Sequence, residues 1–89
     1  MKRSEFLSWL GRLKYAELMQ LIAACADWAG HSHIVEECNK TLTAWRSFGS
    51  PDLPENVVVA LHADLCVIAD SLGAGIVRII GRKLCITGA

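Results

Sequence analysis

Apolar residues recur three and four positions apart along three long stretches of the chain, which is the period of an α-helix. We therefore predict three principal helices, over about residues 12–29, 33–48 and 54–72. A shorter apolar stretch after Ser4 predicts a short N-terminal helix that ends near Gly11, since glycine is common where helices stop.

The third long stretch has the widest apolar stripe of the chain. Its members are Val57, Val58, Leu61, Leu65, Ile68, Ala69 and Leu72. Val59, Cys66 and Val67 interrupt the opposite side, so this helix is apolar on both of its faces. Because apolar faces must be covered, we predict that this helix is central and that the other elements pack around it.

The second long stretch has a single, continuous stripe. It consists of Ile34, Val35, Cys38, Leu42, Trp45 and Phe48. The remaining positions are polar, and Glu36 and Lys40 are spaced to form an ion pair on the exposed side. The pattern predicts that this whole stripe, from its first residue to Phe48, faces the core.

The C-terminal segment changes character, because β-branched residues dominate it and Gly81 divides it. We predict a β-hairpin over about residues 76–87, with strands near 76–80 and 84–87. The predicted fold is thus α+β and mainly α, in a single small domain that spans residues 1–89. The alternative is an all-α bundle in which the last segment is helical.

Composition suggests that this domain does not work alone. The chain has 89 residues, 53% of them hydrophobic, which leaves little polar material to cover a monomer. We therefore expect a homo-oligomer, most simply a dimer, that also binds a protein partner. The predicted contact residues are apolar positions outside the main core-facing stripes: Leu13, Leu21 and Trp28 in the first long stretch, Val59 and Val67 in the third, and Ile79 in the hairpin, whose two faces are both apolar.

The net charge is zero, but its distribution is uneven. Residues 1–14 and 71–89 each carry a net charge of +3, whereas residues 15–70 carry −6. We expect the basic ends to lie on the acidic body, within a subunit or between subunits. The alternative is a basic surface for nucleic acid or a phosphate-bearing ligand, formed in the hairpin by Arg78, Arg82 and Lys83.

Three helices followed by a hairpin is the order of a winged helix-turn-helix, which reads DNA with its third helix. The third predicted helix has no lysine or arginine and carries Glu55, Asp64 and Asp70. Acidic side chains are repelled by the phosphates that flank the major groove. Nucleic acid is therefore the less favoured partner.

Four cysteines stand singly, without a CxxC pair, and each lies in an apolar segment. This pattern predicts reduced, buried thiols in a cytoplasmic protein. The alternative is a metal site that includes His62 and Cys66, which are one helical turn apart, with His31 and His33 as its second pair, because zinc binds imidazole and thiolate. We expect no metal and no other cofactor.

No phosphate loop, nucleophile elbow or acid–base pair is present in the sequence. We expect no transmembrane helix and no membrane partner, since Asp64 and Asp70 fall inside the most apolar stretch. The predicted function is therefore non-enzymatic binding of another macromolecule by an inhibitor, adaptor or regulatory subunit. Small accessory proteins of phages or mobile elements are compatible with this size.

Overall fold

The computed structural model describes residues 2–86, and within them every regular element is a helix and none is a strand. The helices are α1 (Arg3–Leu10), α2 (Tyr15–Trp28), α3 (Ser32–Ser47), α4 (Glu55–Leu72) and α5 (Ala74–Lys83). The first four begin and end within three residues of the predicted bounds. The α+β fold class is wrong, and the all-α alternative agrees with the structure.

In place of the predicted hairpin, the segment forms α5 as far as Lys83 and then a turn at residues 84–85, and residue 87 lies outside the described residues. Its buried residues are Val77, Ile80 and Gly81, which have the i, i+3, i+4 spacing of one helix face. As strands, the segment would have been apolar on both sides, and only one side could have been buried. As a helix, the segment gathers its apolar residues on one face that packs on the core. The free energy gained by burying that face outweighs the intrinsic β propensity of isoleucine and valine.

The centre of the molecule is α2, and not α4 as the sequence predicts. Helix α2 packs against α3, α4 and α5, and half of its residues are buried. In α4 only Leu65 and Ala69 are buried. One side of α4 packs on α2 and α5 and the opposite side faces outward, so its second apolar face is left uncovered.

Helix α3 lies at the periphery. It packs on α2 and makes few contacts with any other helix. Cys38 and Leu42 are its only buried residues among those described. The indole N–H of Trp45 donates a hydrogen bond to the carbonyl of Pro51 (2.9 Å), which holds the α3–α4 loop against the end of α3.

Two helices end in the same way, at glycines that the sequence predicts as stops. Gly30 and Gly49 have φ angles of +80° and +86°, which residues with a side chain rarely adopt. In each case the following N–H bonds back to the fifth preceding carbonyl, from His31 to Ala26 and from Ser50 to Trp45. These are Schellman motifs, and they fix both ends without help from the rest of the fold.

Helix α5 is held by a close approach to α1. A Cβ atom on Gly81 would lie 2.9 Å from the Trp9 ring, so only glycine allows this packing. The guanidinium carbon of Arg78 lies 4.5 Å from the centre of the same ring, in a cation–π contact. Trp9 is 1% exposed, and it joins the two ends of the described chain in one core.

Candidate protein-contact surfaces

Two of the six predicted contact residues are inside the subunit. Leu13 is buried and Leu21 is 0% exposed, and both belong to the central core cluster. Predicting them as surface contacts was wrong, because that prediction treated α2 as a helix with one polar face. In the structure α2 is covered by neighbouring helices on more than one side, which encloses Leu21. Leu13 lies in the connection between α1 and α2 and is buried in the same core cluster.

The other four predicted contact residues are exposed: Trp28, Val59, Val67 and Ile79. Trp28 is the last residue of α2, where the helix emerges from the core. Val59 and Val67 lie on α4 and Ile79 lies on α5. Their exposure makes them accessible to a partner, and the contact itself stays a prediction.

Val59 and Val67 are part of a larger apolar surface on α4. With Ala60 and Ala63 they recur at helical spacing over about two turns, and all four are exposed. We call these four residues the α4 face. Val67 is 68% exposed, so the face is fully open to solvent along its length. The two alanines leave room for close approach of another backbone.

The α4 face is surrounded by acidic residues. Glu55, Asp64 and Asp70 are the only charged residues of α4. One oxygen of Asp70 lies 3.5 Å from an Arg3 side-chain nitrogen, in an exposed ion pair. This is the only described ion pair that joins a basic end to the acidic body, and a surface pair of this kind contributes less than about 1 kcal/mol. Apart from the Asp70 pair, the carboxylates of α4 form no ion pair among the described residues.

The structure does not bring the three predicted anion-contact residues together in one exposed site. Arg78 is half-buried against Trp9, so its guanidinium serves packing within the subunit. Arg82 and Lys83 are exposed in the last turn of α5, and the Lys83 ammonium lies 6.0 Å from the Trp28 ring. Cations in a last turn also stabilise the helix dipole, which gives both residues a structural role.

His62 and Cys66 lie side by side on an edge of α4, and both are partly buried. Nε2 of His62 is buried without a hydrogen-bond partner among the described residues. Within residues 2–86 no three histidine, cysteine or acidic side chains come together in a metal-binding arrangement. The pair therefore lacks the further protein ligands that a zinc site requires.

The thiols divide into buried and accessible ones. Burial raises the pKa of Cys25 to about 11. The pKa of Cys38 is also raised, first by burial and then by the negative charge of Glu37. Both thiols are protonated and unreactive at neutral pH. Cys66 is half-buried and Cys85 is exposed, so the prediction of four buried thiols fails for the last two.

Sequence reasoning missed the most exposed large apolar residue. Phe48 is 81% exposed, although its position in the α3 stripe predicts burial. It follows the last residue of α3 and precedes Gly49, so it lies beyond the elements that cover the middle of the stripe. Ile34, the first residue of the stripe, is 37% exposed and also departs from the prediction. The place of Phe48 at a helix end, immediately before a stop signal, was the one clue in the sequence.

An apolar cavity of about 140 Å³ lies at the other end of α3, between α2, α3 and α4. Its polar residues are His31 and Ser71, and its apolar walls are Ile22, Cys25, Ala26, Ala29, Ile34, Ile68 and Leu72. We call it the α2–α3–α4 cavity. Nothing in the sequence predicts it, because it depends on how three helix ends are spaced.

Comparison with known proteins adds no family. No protein-family model, no curated protein and no solved structure gives a significant match to this chain.

Among the described residues no single helix has the length and hydropathy to cross a membrane. Helices α4 and α5 reach that composition only when taken together, and they are bent by 112°.

Proposed function

We propose that this protein is a non-enzymatic homodimer that binds a second protein through the α4 face. The observation that carries the proposal is the apolar, open centre of α4 between Val59 and Val67. Soluble proteins seldom leave a contiguous apolar strip uncovered unless it is used for contact. Inhibitor, adaptor and regulatory-subunit roles all fit such a surface.

The charges around the α4 face specify the partner. Helix α4 has three carboxylates and no lysine or arginine. The complementary ligand is an amphipathic helix whose apolar stripe is flanked by lysines or arginines. Its apolar side chains would pack on Val59 and Val67, while its cations would lie near Asp64 and Glu55.

Site-specific photo-crosslinking in the native host tests this proposal. A photoreactive residue in place of Val67 should capture a protein whose crosslinked segment combines apolar and basic residues at helical spacing. The matched control is Thr43, an exposed position on the far side of α3. Equal yields at the two positions, or a crosslinked segment without basic residues, would contradict the proposal.

A second proposal, for a phosphate-bearing ligand, is supported only by the exposure of Arg82 and Lys83. The segment is a helix and not a hairpin, and the guanidinium of Arg78 is engaged in the cation–π contact with Trp9. Binding of this kind should weaken steeply with added salt and with the R82A/K83A double variant. Binding of a labelled oligonucleotide that is insensitive to both would exclude it.

A cytoplasmic location remains a prediction. It is supported by the four cysteines, none of which is paired with another in the structure. Fractionation of the host with an epitope-tagged chain would test it, with a resident cytoplasmic enzyme as the reference.

A further inference from the structure

Three residues form a straight line along one edge of α3. Ile34, Thr41 and Phe48 are seven positions apart, which is about two helical turns, and all three are exposed. Ile34 is also a wall of the α2–α3–α4 cavity. Phe48 therefore lies on the same edge of α3 as the cavity, at the opposite end of the helix.

The cavity has the size of an aromatic ring. Its volume is about 140 Å³, and an apolar protein cavity of about 150 Å³ is known to hold one benzene molecule. Six of its nine lining residues are aliphatic, and the polar residues His31 and Ser71 are among the other three, so most of a phenyl group would contact apolar atoms. Phe48 of the same subunit cannot enter, since α3 separates them by about 24 Å at 1.5 Å per residue over 16 residues.

We propose that two copies of this chain associate through antiparallel α3 helices, each inserting Phe48 into the α2–α3–α4 cavity of the other. A twofold axis across the middle of α3 brings the C-terminal end of one helix beside the N-terminal end of its partner. Both insertions then occur at once, and the assembly closes as a dimer. This inference rests on the homodimer of the proposed function and specifies its interface.

The charges of α3 suit an antiparallel pair. Glu36 and Glu37 lie in its first half, and Lys40 and Arg46 lie in its second half. Of these four residues, Glu37 and Lys40 flank the edge formed by Ile34, Thr41 and Phe48, whereas Glu36 and Arg46 lie on the far side of the helix. Antiparallel packing brings Glu37 of each helix toward Lys40 of the other. Lys40 already pairs with Glu36 at 3.3 Å in an exposed ion pair, which a partner's carboxylate can join.

The first experiment measures the mass of the full chain by analytical ultracentrifugation over a micromolar concentration series. Wild type should be a dimer. Phe48→Ser and Ala29→Leu, which fills the cavity from its exposed mouth, should each weaken dimerisation by about a hundredfold or more, because each removes both insertions. Val67→Ser, on the α4 face, is the matched control and should remain dimeric.

Mixing the two variants gives a sharper result. Phe48→Ser keeps an intact cavity, and Ala29→Leu keeps an intact Phe48, so the mixture can form one good insertion. We expect heterodimers that are tighter than either variant's homodimer, and circular dichroism checks that each variant is folded. A mixture no tighter than its components would overturn the inference.

The remaining outcomes separate the two proposals. A wild-type dimer that persists in both variants, or that Val67→Ser dissociates, overturns this interface and leaves the homodimer in place. A mass that grows without limit overturns the closed twofold arrangement. A wild-type monomer overturns both this inference and the homodimer, while binding through the α4 face is still decided by crosslinking.

Discussion

Helices α2 and α4 are similar in sequence and opposite in role. Both are mainly apolar, and the longer one, α4, has the wider apolar stripe. Yet α2 is enclosed by α3, α4 and α5, while α4 packs on α2 and α5 with one side and faces solvent with the other. Apolar content therefore does not distinguish a core helix from a contact helix. What distinguishes a core helix from a contact helix is how much of its surface neighbouring helices cover.

The difference also separates stability from function. Residues of α2 that look like surface contacts, such as Leu21, are structural, because they lie where several helices meet. Residues of α4 such as Val67 contribute little to the subunit and are free to serve a partner. Selection for folding accounts for the first group, whereas the second group needs another explanation, and we propose that it is binding.

The largest effect should come from truncating equivalent aliphatic residues on the two helices. Leu21→Ala removes a fully buried side chain and should lower the free energy of unfolding by about 3–4 kcal/mol. Val67→Ala removes exposed atoms and should change it by less than about 0.5 kcal/mol. Urea denaturation of both variants measures this. Equal losses would mean that α4 is as enclosed as α2.

A second test adds one carbon where α5 meets the core. Gly81→Ala places a Cβ atom against the Trp9 ring at 2.9 Å and should destabilise the protein by about 1–3 kcal/mol, although alanine favours helix. Gly75→Ala is the matched control, since its Cβ would meet nothing within 4 Å. Thermal unfolding of both variants reports the difference. A stabilised Gly81→Ala variant would contradict the close packing of Trp9.

The pH dependence of stability tests the burial of Cys25 in α2. Its pKa is raised by burial from 9.0 to about 11, so between these values the unfolded state ionises while the folded state stays protonated. Stability is then lost as pH rises through this window, by up to about 2 kcal/mol. Cys25→Ala should unfold with a shallower pH dependence over pH 9–11. Parallel curves for variant and wild type would show that Cys25 is not buried.

The smallest effect concerns helix ends. Helix α2 ends at Gly30 with φ +80°, and α5 ends at Cys85 in the same left-handed region, with φ +60°. Cys85→Gly should therefore stabilise the protein by about 0.5–1 kcal/mol, and Gly30→Ala should destabilise it by about 1 kcal/mol. Thermal unfolding of the two variants should give shifts of opposite sign. Shifts of the same sign would indicate that α5 ends differently from α2.

Much of the fold follows from local signals. The spacing of apolar residues and the glycines at positions 30 and 49 place α2 and α3 to within three residues, because helix period and Schellman ends depend on neighbouring residues only. The prediction failed at α5, where β propensity favoured strands. Helix or strand there depends on a distant partner, since Gly81 and Arg78 both pack on Trp9.

The candidate surfaces were less predictable than the helices. Val59 and Val67 could be found from their position opposite the main stripe of α4, whereas Leu13 and Leu21 gave the same signal and are buried. For Phe48 the error was the reverse: its place in the α3 stripe predicts burial, but the residue lies beyond the end of the core and is exposed. The α2–α3–α4 cavity had no signal at all.

By itself, the sequence determined where four helices lie and where glycine stops them, since these features depend on interactions within a few residues. Only the tertiary structure decided that α2 is central, that the last segment is a helix, and that Phe48 and the α4 face are exposed. Burial depends on which helices surround a residue, and that is set by packing between segments far apart in the chain.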